Sequence, residues 1–256
     1  MDGPSMEFLV HAMTHCGLKR RRNEDAFYAV SFDGRPGAGA LLMVADGLGG
    51  HSAGDVAARI AAECFESAAA NLPPAPIREP DMRAVLQDAT AAANRALAAH
   101  ASARPRDHGL GATLAAALVS ASGRAVIAWL GDSRAYLIRN SRPVRLTEDH
   151  SVVNRLVARG VIPPEAARRH PDRHLITRAL GVGALVPPDF TAADLRPGDS
   201  LLLCTDGLHS VISEGALALA ASMHEDPEAL CAALIQAAND RGGPDNITVA
   251  AALCRD

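Results

Sequence analysis

The sequence predicts an α+β fold, helices layered over antiparallel sheet, and three observations carry that prediction. Short apolar runs lead into aspartate at three places, two helical stretches follow one another between residues 52 and 100, and a hairpin pattern fills residues 113–130. The first apolar run organises the rest. Leu41, Leu42, Met43, Val44 and Ala45 form a brief uncharged stretch flanked by glycine, which suits a buried strand from Ala40 to Ala45 better than a helix. It ends in Asp46, followed by Gly47, Leu48, Gly49, Gly50 and His51. An ionised carboxylate directly after a buried strand is costly unless something pairs with it, and a cation is the usual partner. Glycines there let the backbone turn sharply and bring a carbonyl close to a metal or a water. Taken alone the stretch reads equally well as an Asp-Gly turn, and the rest of the chain decides between the two.

At 256 residues and 48% hydrophobic, the chain has enough apolar material for one large domain, residues 1–256, with a substantial core. Aromatic residues make up only 3%, so that core is expected from Ala, Leu, Val and Ile. A net charge of −4 gives no overall attraction to nucleic acid or an anionic membrane. Cys16, Cys64, Cys204, Cys231 and Cys254 are odd in number and lack a Cys-x-x-Cys pair, which argues against a disulfide framework or a zinc site and fits a reducing cytosol. No apolar run reaches membrane-spanning length and no basic head precedes a long apolar stretch, so neither a transmembrane helix nor a signal peptide is expected.

In chain order, Phe8 to Thr14 reads as an edge strand. The next loop sets four consecutive cations, Lys19, Arg20, Arg21 and Arg22, directly before Asn23 and the acidic pair Glu24-Asp25. Such a run is either a solvated loop or a place where one guanidinium holds an anion through two parallel hydrogen bonds. Ala26 to Ser31 is a second strand, and Asp33 to Gly37 turns the chain into Ala40 to Ala45. Val56, Ile60 and Cys64 recur every four residues and mark a helix with Ser52 or Asp55 as cap, ended by the proline-rich Leu72 to Pro80. Met82, Val85, Leu86, Ala89, Ala93 and Leu97 line one face of a second helix from Asp81 to about His100. Thr113 to Val119 and Ala125 to Leu130 form a hairpin, with Ala135 to Arg139 adding a third antiparallel strand. Leu146 to Val186 loses regular periodicity apart from a short helix around Val152 to Ala158, and reads as a mobile flap over a site. Leu201 to Cys204 then runs into Thr205-Asp206-Gly207, nearly repeating the first element. A helix from Pro227 to about Asp240 turns Leu230 and Leu234 inward, and Pro244-Asp245-Asn246 precedes a closing strand, Ile247 to Leu253.

The functional inference lies in this order. Asp46, Asp132 and Asp206 follow apolar strands, whereas Asp25 and Asp245 precede them. Antiparallel pairing places the end of one strand beside the start of the next, so all five carboxylates can meet at one rim. Such a cluster either raises its own pKa values or binds hard cations, and oxygen donors without nearby cysteine favour magnesium or manganese. A water between two divalent ions is a nucleophile at neutral pH, and an arginine on the same rim would anchor a phosphoryl group. Phosphate-ester hydrolysis is the reaction these parts suit.

Seven blocks then coincide. Arg20 with Asn23-Glu24-Asp25, Asp46-Gly47-Leu48-Gly49-Gly50-His51, Gly111-Ala112-Thr113, Gly131-Asp132-Ser133-Arg134, Leu146-Thr147 with Asp149-His150-Ser151, Thr205-Asp206-Gly207, and Gly243 with Asp245-Asn246-Ile247-Thr248 resemble, in register along almost the whole chain, the bacterial branch of the protein phosphatase 2C family. The resemblance implies a four-layer α-β-β-α sandwich, two antiparallel sheets flanked by helices, with a metal centre at the sheet rim. It implies hydrolysis of phosphoserine and phosphothreonine in proteins by a metal-bridging water, without a phosphoenzyme, in opposition to a cognate kinase and as a monomer. Manganese or magnesium would be the cofactor, two ions with room for a third.

Carried over by position, Asp46 resembles the carboxylate shared by two ions, and Gly47 supplies one of them a backbone carbonyl. Asp206 and Asp245 would hold the other, Asp25 and Glu24 would orient bound waters, Asp132 matches a third, weaker metal position, and Arg20 matches the phosphate-binding arginine. Asn246 would stand behind these ligands. Leu48 departs from eukaryotic members, which carry a histidine proposed as general acid there, so the proton for the leaving group must come from elsewhere. Thr205 stands where serine is usual, a change expected to be tolerated.

Two other readings fit parts of the chain. His15-Cys16 followed by five residues and Arg22 matches a cysteine-based phosphatase loop, but such a loop needs small residues and then a helix, whereas Lys19-Arg20-Arg21 fills it and strand-like Ala26 to Val30 follows. Cys16 is better read as a small filler. A non-catalytic regulatory module with the same fold would have lost metal carboxylates, and every expected aspartate is present. His51, His108, His170, His174 and His209 read as surface residues or as supports behind the site, and His150 as the tie between flap and core.

Overall fold

The computed structural model describes residues 6–32, 37–48, 53–72, 77–167, 169–183 and 186–255. One antiparallel sheet contains β1 (Glu7–His15), β7 (Arg134–Arg139), β8 (Arg142–Arg145), β10 (Ser200–Cys204) and β11 (Ile247–Arg255), in the order β1-β11-β10-β7-β8. The other has the order β2-β3-β5-β6-β9, from β2 (Asp25–Ser31), β3 (Ala38–Leu48), β5 (Leu114–Ser120), β6 (Arg124–Leu130) and β9 (Asp189–Asp194), with the two-residue β4 (Gly111–Ala112) paired to the end of β3.

Alternation along the strands creates the layers. Leu41, Met43 and Ala45 of β3 pack against helices α1 (Gly54–Ala70) and α2 (Glu79–Ala103), while Ala40, Leu42 and Val44 pack with Leu201, Leu203, Ala250 and Ala252 of the facing sheet. On the other side of that sheet Leu202, Cys204, Ala251 and Leu253 meet α6 (Glu214–Met223) and α7 (Pro227–Asp240). The period-2 alternation thus builds the expected α-β-β-α sandwich, from aliphatic residues as the composition demands.

Several elements differ from the sequence reading. The strand Arg134–Arg139 does not extend the β5–β6 hairpin; the chain crosses at Gly131-Asp132-Ser133 to the opposite sheet, where β7 pairs with β10 and β8. Sequence adjacency suggests hairpins, but a sandwich closes by strands that change sheets. Helix α1 buries Ala57, Ala58, Ala61, Phe65 and Ala69, leaving Val56, Ile60 and Cys64 only half-buried at the flank. The alanine stripe has less apolar area than the Val/Ile stripe, but it lets the helix lie close on the sheet. The α1 N-cap is Ala53, without a side-chain hydrogen bond, so Asp55 lies in the first turn, and Ser52 falls outside the described residues. Helix α2 starts two residues earlier than expected and takes Pro80 into its first turn, where a missing N–H costs nothing. Strands β8 and β9 and helix α6 were not foreseen; β8 and β9 are short, polar at their ends and on sheet edges, and carry little periodic signal.

The segment 146–186 contains α3 (Val152–Ala158), the one-turn α4 (Pro164–Ala167) and a 3-10 turn at Pro171–His174. Its base is pinned to the core: His150 N donates to Gly131 O at 2.9 Å, Thr177 N to His150 O at 2.6 Å, and Ala112 and Leu180 exchange two backbone bonds at 3.1 and 2.8 Å. Among the described residues, no helix is long and apolar enough to cross a membrane.

Candidate metal centre

The five aspartates reach one rim from three directions. Asp25 opens β2 and lies directly opposite Asp46 in the β2–β3 ladder, so both come from the same sheet. Asp206 begins the short helix α5 (Asp206–His209) just past β10, and Asp245 precedes β11, so these come from the facing sheet. Asp132 sits on the crossover between the sheets. Asp46 does not follow its strand, as its sequence context suggests; β3 continues through it to Leu48 because β4 supplies a partner for Gly47 and Leu48.

Two glycines make this approach possible. A Cβ on Gly47 would lie 2.0 Å from the Gly54 carbonyl oxygen, so only glycine lets β3 pass the first turn of α1. A Cβ on Gly207 would lie 1.9 Å from the Asn246 carbonyl oxygen, and its absence seats Asp206 beside the Asp245-Asn246 loop.

Around the acids runs a hydroxyl and amide frame. Asp25 Oδ2 accepts from Thr205 Oγ1 at 2.8 Å and from Thr248 Oγ1 at 2.6 Å. Because the single Thr248 proton goes to Asp25, the 2.7 Å contact between Thr14 and Thr248 hydroxyls has Thr14 as donor, and Thr14 in turn accepts from Asn23 Nδ2 at 2.8 Å. Asp25 Oδ1 is buried with no hydrogen-bond partner, as is Asp206 Oδ1. The Asp46 N–H donates to Thr113 Oγ1 at 2.9 Å, Thr113 N–H returns to Asp46 O at 2.8 Å, and the Thr113 and Ser133 hydroxyls meet at 2.7 Å, tying the shared strand to the crossover. His209 Nε2 lies 2.9 Å from the Asp132 carbonyl oxygen, so that nitrogen carries the proton.

The electrostatics follow from burial and crowding. Burial, then the charges of Asp25, Asp206, Asp132 and Asp245, holds the Asp46 carboxyl well above the usual range. Burial lifts Asp25 to about 7 against the lowering effect of its two threonine hydroxyls. Asp132 is raised to about 7 by burial and then by Asp206 and Asp149, and Asp206 is raised by burial and Asp245. Burial pushes His209 down to about 3, so it stands neutral.

Arg20 Nη2 donates to Asp245 Oδ2 at 2.8 Å, which leaves that acid paired with a cation. No group of three acidic, imidazole or thiol side chains among the described residues converges on one point. The donor set nevertheless fits a hard cation: carboxylate oxygens in excess, two of them buried without a partner.

The remaining site residues also meet this rim. Glu24 N–H donates to Asn246 Oδ1 at 2.8 Å, its carbonyl accepts from Gly47 N at 3.0 Å, and Asn246 Nδ2 donates to the carbonyls of Cys16 and Arg22 at 2.9 and 2.8 Å. Asn246 therefore staples the cationic loop to the β11 loop. The thiol of Cys16 is turned to the Arg20 carbonyl at 3.4 Å, and the chain after Arg22 enters β2 instead of a helix, so the cysteine-phosphatase loop does not form. His150 does tie flap to core, since its Nδ1 accepts from Gly131 N at 3.1 Å and its ring stacks on Trp129. His209 is half-buried and lies beside Asp132, whose carbonyl its Nε2 meets. Gly49, Gly50 and His51 fall outside the described residues. Thr14, Thr113, Thr205 and Thr248 support the acids although sequence reasoning gave them no such role, and Thr113, Thr205 and Thr248 lay within the matching blocks, which was the available signal.

Residues 16–247 match the family described as protein phosphatase 2C. The serine/threonine protein phosphatase PstP of Mycobacterium tuberculosis is 39% identical over 236 residues, 92% of this chain and 43% of that protein. This chain thus spans less than half the length of that relative. A serine/threonine phosphatase of Listeria innocua is 36% identical over 209 residues, 82% of each chain. The crystal structure of the catalytic domain of PstP in complex with two manganese ions superimposes with a TM-score of 0.84 at 36% identity, covering 98% of this chain and 100% of that one. With the acids gathered on one rim and the family pattern matched from residue 16 to residue 247, the chain belongs to the protein phosphatase 2C family.

Proposed function

We propose that this chain is a manganese- or magnesium-dependent phosphatase that hydrolyses phosphoserine and phosphothreonine in proteins, in opposition to a cognate serine/threonine kinase. The observation that carries the reading is that Asp25, Asp46, Asp132, Asp206 and Asp245 come from both sheets near enough to one another for their charges to interact, with Asp25 Oδ1 and Asp206 Oδ1 buried and unpartnered. Asp46, the Gly47 carbonyl, Asp206 and Asp245 would hold two ions, and Asp132 would hold a third. Bound there, the ions supply a water of lowered pKa as nucleophile and positive charge against the phosphoryl oxygens.

The chain's own residues do the rest. Arg20 offers its forked donors to the phosphoryl group, held at the rim by Asp245 and exposed over about half its side chain. The hydroxyl relay fixes Asp25 Oδ2 as an acceptor, so a proton taken by Asp25 resides on the buried, unpartnered Oδ1. Glu24 is held by Asn246 and Gly47 to orient water beside Asp25. Residues 1–256 form one catalytic domain in this reading, working as a monomer in the cytoplasm, with residues 146–186 as the flap that sets substrate choice. Five free cysteines accord with a reducing compartment.

The test is hydrolysis of p-nitrophenyl phosphate. EDTA should abolish it and added manganese restore it, and Asp46→Ala and Asp206→Ala should each lower kcat by at least about a hundredfold. Full turnover in either variant, or activity indifferent to EDTA, refutes the reading.

A further inference from the structure

We infer that the substrates of this site are phosphorylated segments with acidic residues flanking the phosphoserine or phosphothreonine, selected by the cationic loop Lys19–Arg22; the inference rests on the phosphatase reading above. The loop is a fixed feature of the rim. Leu18 N and Lys19 N both donate to Gly243 O at 2.8 and 3.2 Å, Arg22 O and Cys16 O both accept from Asn246 Nδ2, and a Cβ on Gly17 would lie 2.1 Å from the Asp245 carbonyl oxygen. Its backbone is therefore held against the very loop that carries Asp245.

All four cations are exposed, and only Arg20 has an acidic partner among the described residues. Among the described residues Lys19, Arg21 and Arg22 have no acidic partner, and they flank the Arg20 guanidinium that is held at the rim by Asp245. On the flap side, the turn Pro171–His174 carries the exposed Arg173 and His174 together with Asp172. The rim is thus positive along the loop Lys19–Arg22, although the whole chain carries a net charge of −4. Positive charge confined to the rim of a cleft, in an acidic molecule, selects a local anionic segment and gives no long-range pull on a polyanion such as nucleic acid.

The spacing sets which positions are read. Consecutive Cα atoms stand about 3.8 Å apart and an extended peptide advances about 3.3–3.6 Å per residue. With the phosphoryl group at Arg20, the neighbouring cations reach acidic side chains within about three positions of the phosphorylated residue.

The experiment compares three phosphothreonine peptides of equal length, flanked by Asp/Glu, by Ala or by Lys/Arg, using the full chain with manganese. Against the Ala-flanked peptide, kcat/KM for the acid-flanked one should be about three- to tenfold higher at low salt, mostly through KM, and the advantage should shrink in 0.5 M NaCl, taken as roughly a fourfold shorter screening length than at 0.03 M. In the double variant Lys19→Ala, Arg21→Ala the ratio should fall toward one, and Arg21→Glu should disfavour the acid-flanked peptide. Turnover of p-nitrophenyl phosphate, which has no flanks, should be unchanged in both and also reports that they fold. Equal kcat/KM on the three peptides, or an acid preference that survives both variants, overturns the inference while leaving the phosphatase reading intact. Loss of p-nitrophenyl phosphate hydrolysis in the wild-type protein would instead overturn the phosphatase reading, and this inference with it.

Discussion

At the scale of single residues, the threonines around Asp25 matter as much as the acids themselves. A carboxylate that accepts two hydroxyl bonds on one oxygen has its plane fixed, and its second oxygen is then aimed by the protein. Thr248→Val keeps the shape, removes the 2.6 Å bond to Asp25 and leaves the Thr14 hydroxyl without its acceptor. A hydrogen bond to a charged group is worth about 1.5–3 kcal/mol, so kcat should fall about tenfold with KM for a phosphopeptide little changed, and Thr248→Ser should recover most of it. An equal loss in the serine variant would mean that the methyl group, not the hydroxyl, is what the site needs. Thr205 follows the same logic, since it presents to Asp25 the same hydroxyl donor that a serine would.

At the scale of elements, the packing of α1 shows where side-chain size governs. Ala57, Ala58 and Ala61 are fully buried against β3, and that close approach also brings the Gly54 carbonyl within 2.0 Å of where a Gly47 Cβ would be. The helix and the metal-bearing end of the strand are therefore positioned by the same contact. Ala61→Leu adds three carbons to a filled interface and should cost about 1–3 kcal/mol, read as a lower urea midpoint at unchanged m-value. Because α1 sits over Gly47, the same variant should weaken manganese activation of p-nitrophenyl phosphate hydrolysis, whereas a leucine at half-buried Ala62 should alter neither as strongly. A midpoint equal to that of the parent protein would show that the helix has room to move away from the sheet.

At the scale of the whole molecule, the acidic rim is a destabilising feature that the two sheets tolerate together. Asp25 and Asp132 have folded pKa values raised to about 7, so between the unfolded carboxyl value and pH 7 the folded state binds more protons, and their contribution to stability is present at low pH and lost as pH rises through 7. His209 acts oppositely: its folded value of about 3 lies below the unfolded one, so its contribution is present above about 6.5 and lost as pH falls. With EDTA present, two carboxyls outweigh one imidazole, and the melting temperature should be a few degrees higher at pH 5.5 than at pH 7.5. Manganese should reverse the order, raising the melting temperature more at pH 7.5, because ions and protons compete for the same oxygens. A melting temperature that falls on acidification in EDTA would show that the acids are less buried than their surroundings indicate.

The sequence by itself determined the pieces that depend on local chemistry. These were the apolar run before Asp46, the Met82 to Leu97 helix face, the hairpin of residues 113–130 and the helix from Pro227, all of which follow from periodicity. Arg20 was matched through the family resemblance, and in the structure it is the cation of its loop that bonds Asp245. Only the tertiary structure decided which sheet Arg134–Arg139 joins, which face of α1 is buried, and that Thr14, Thr205 and Thr248 converge on Asp25 from residues up to 234 positions apart. A local pattern reports which side of an element is apolar but not what lies across from it. Crossover between sheets, the space left by alanine and a relay of hydroxyls depend on neighbours that come together only when the chain folds.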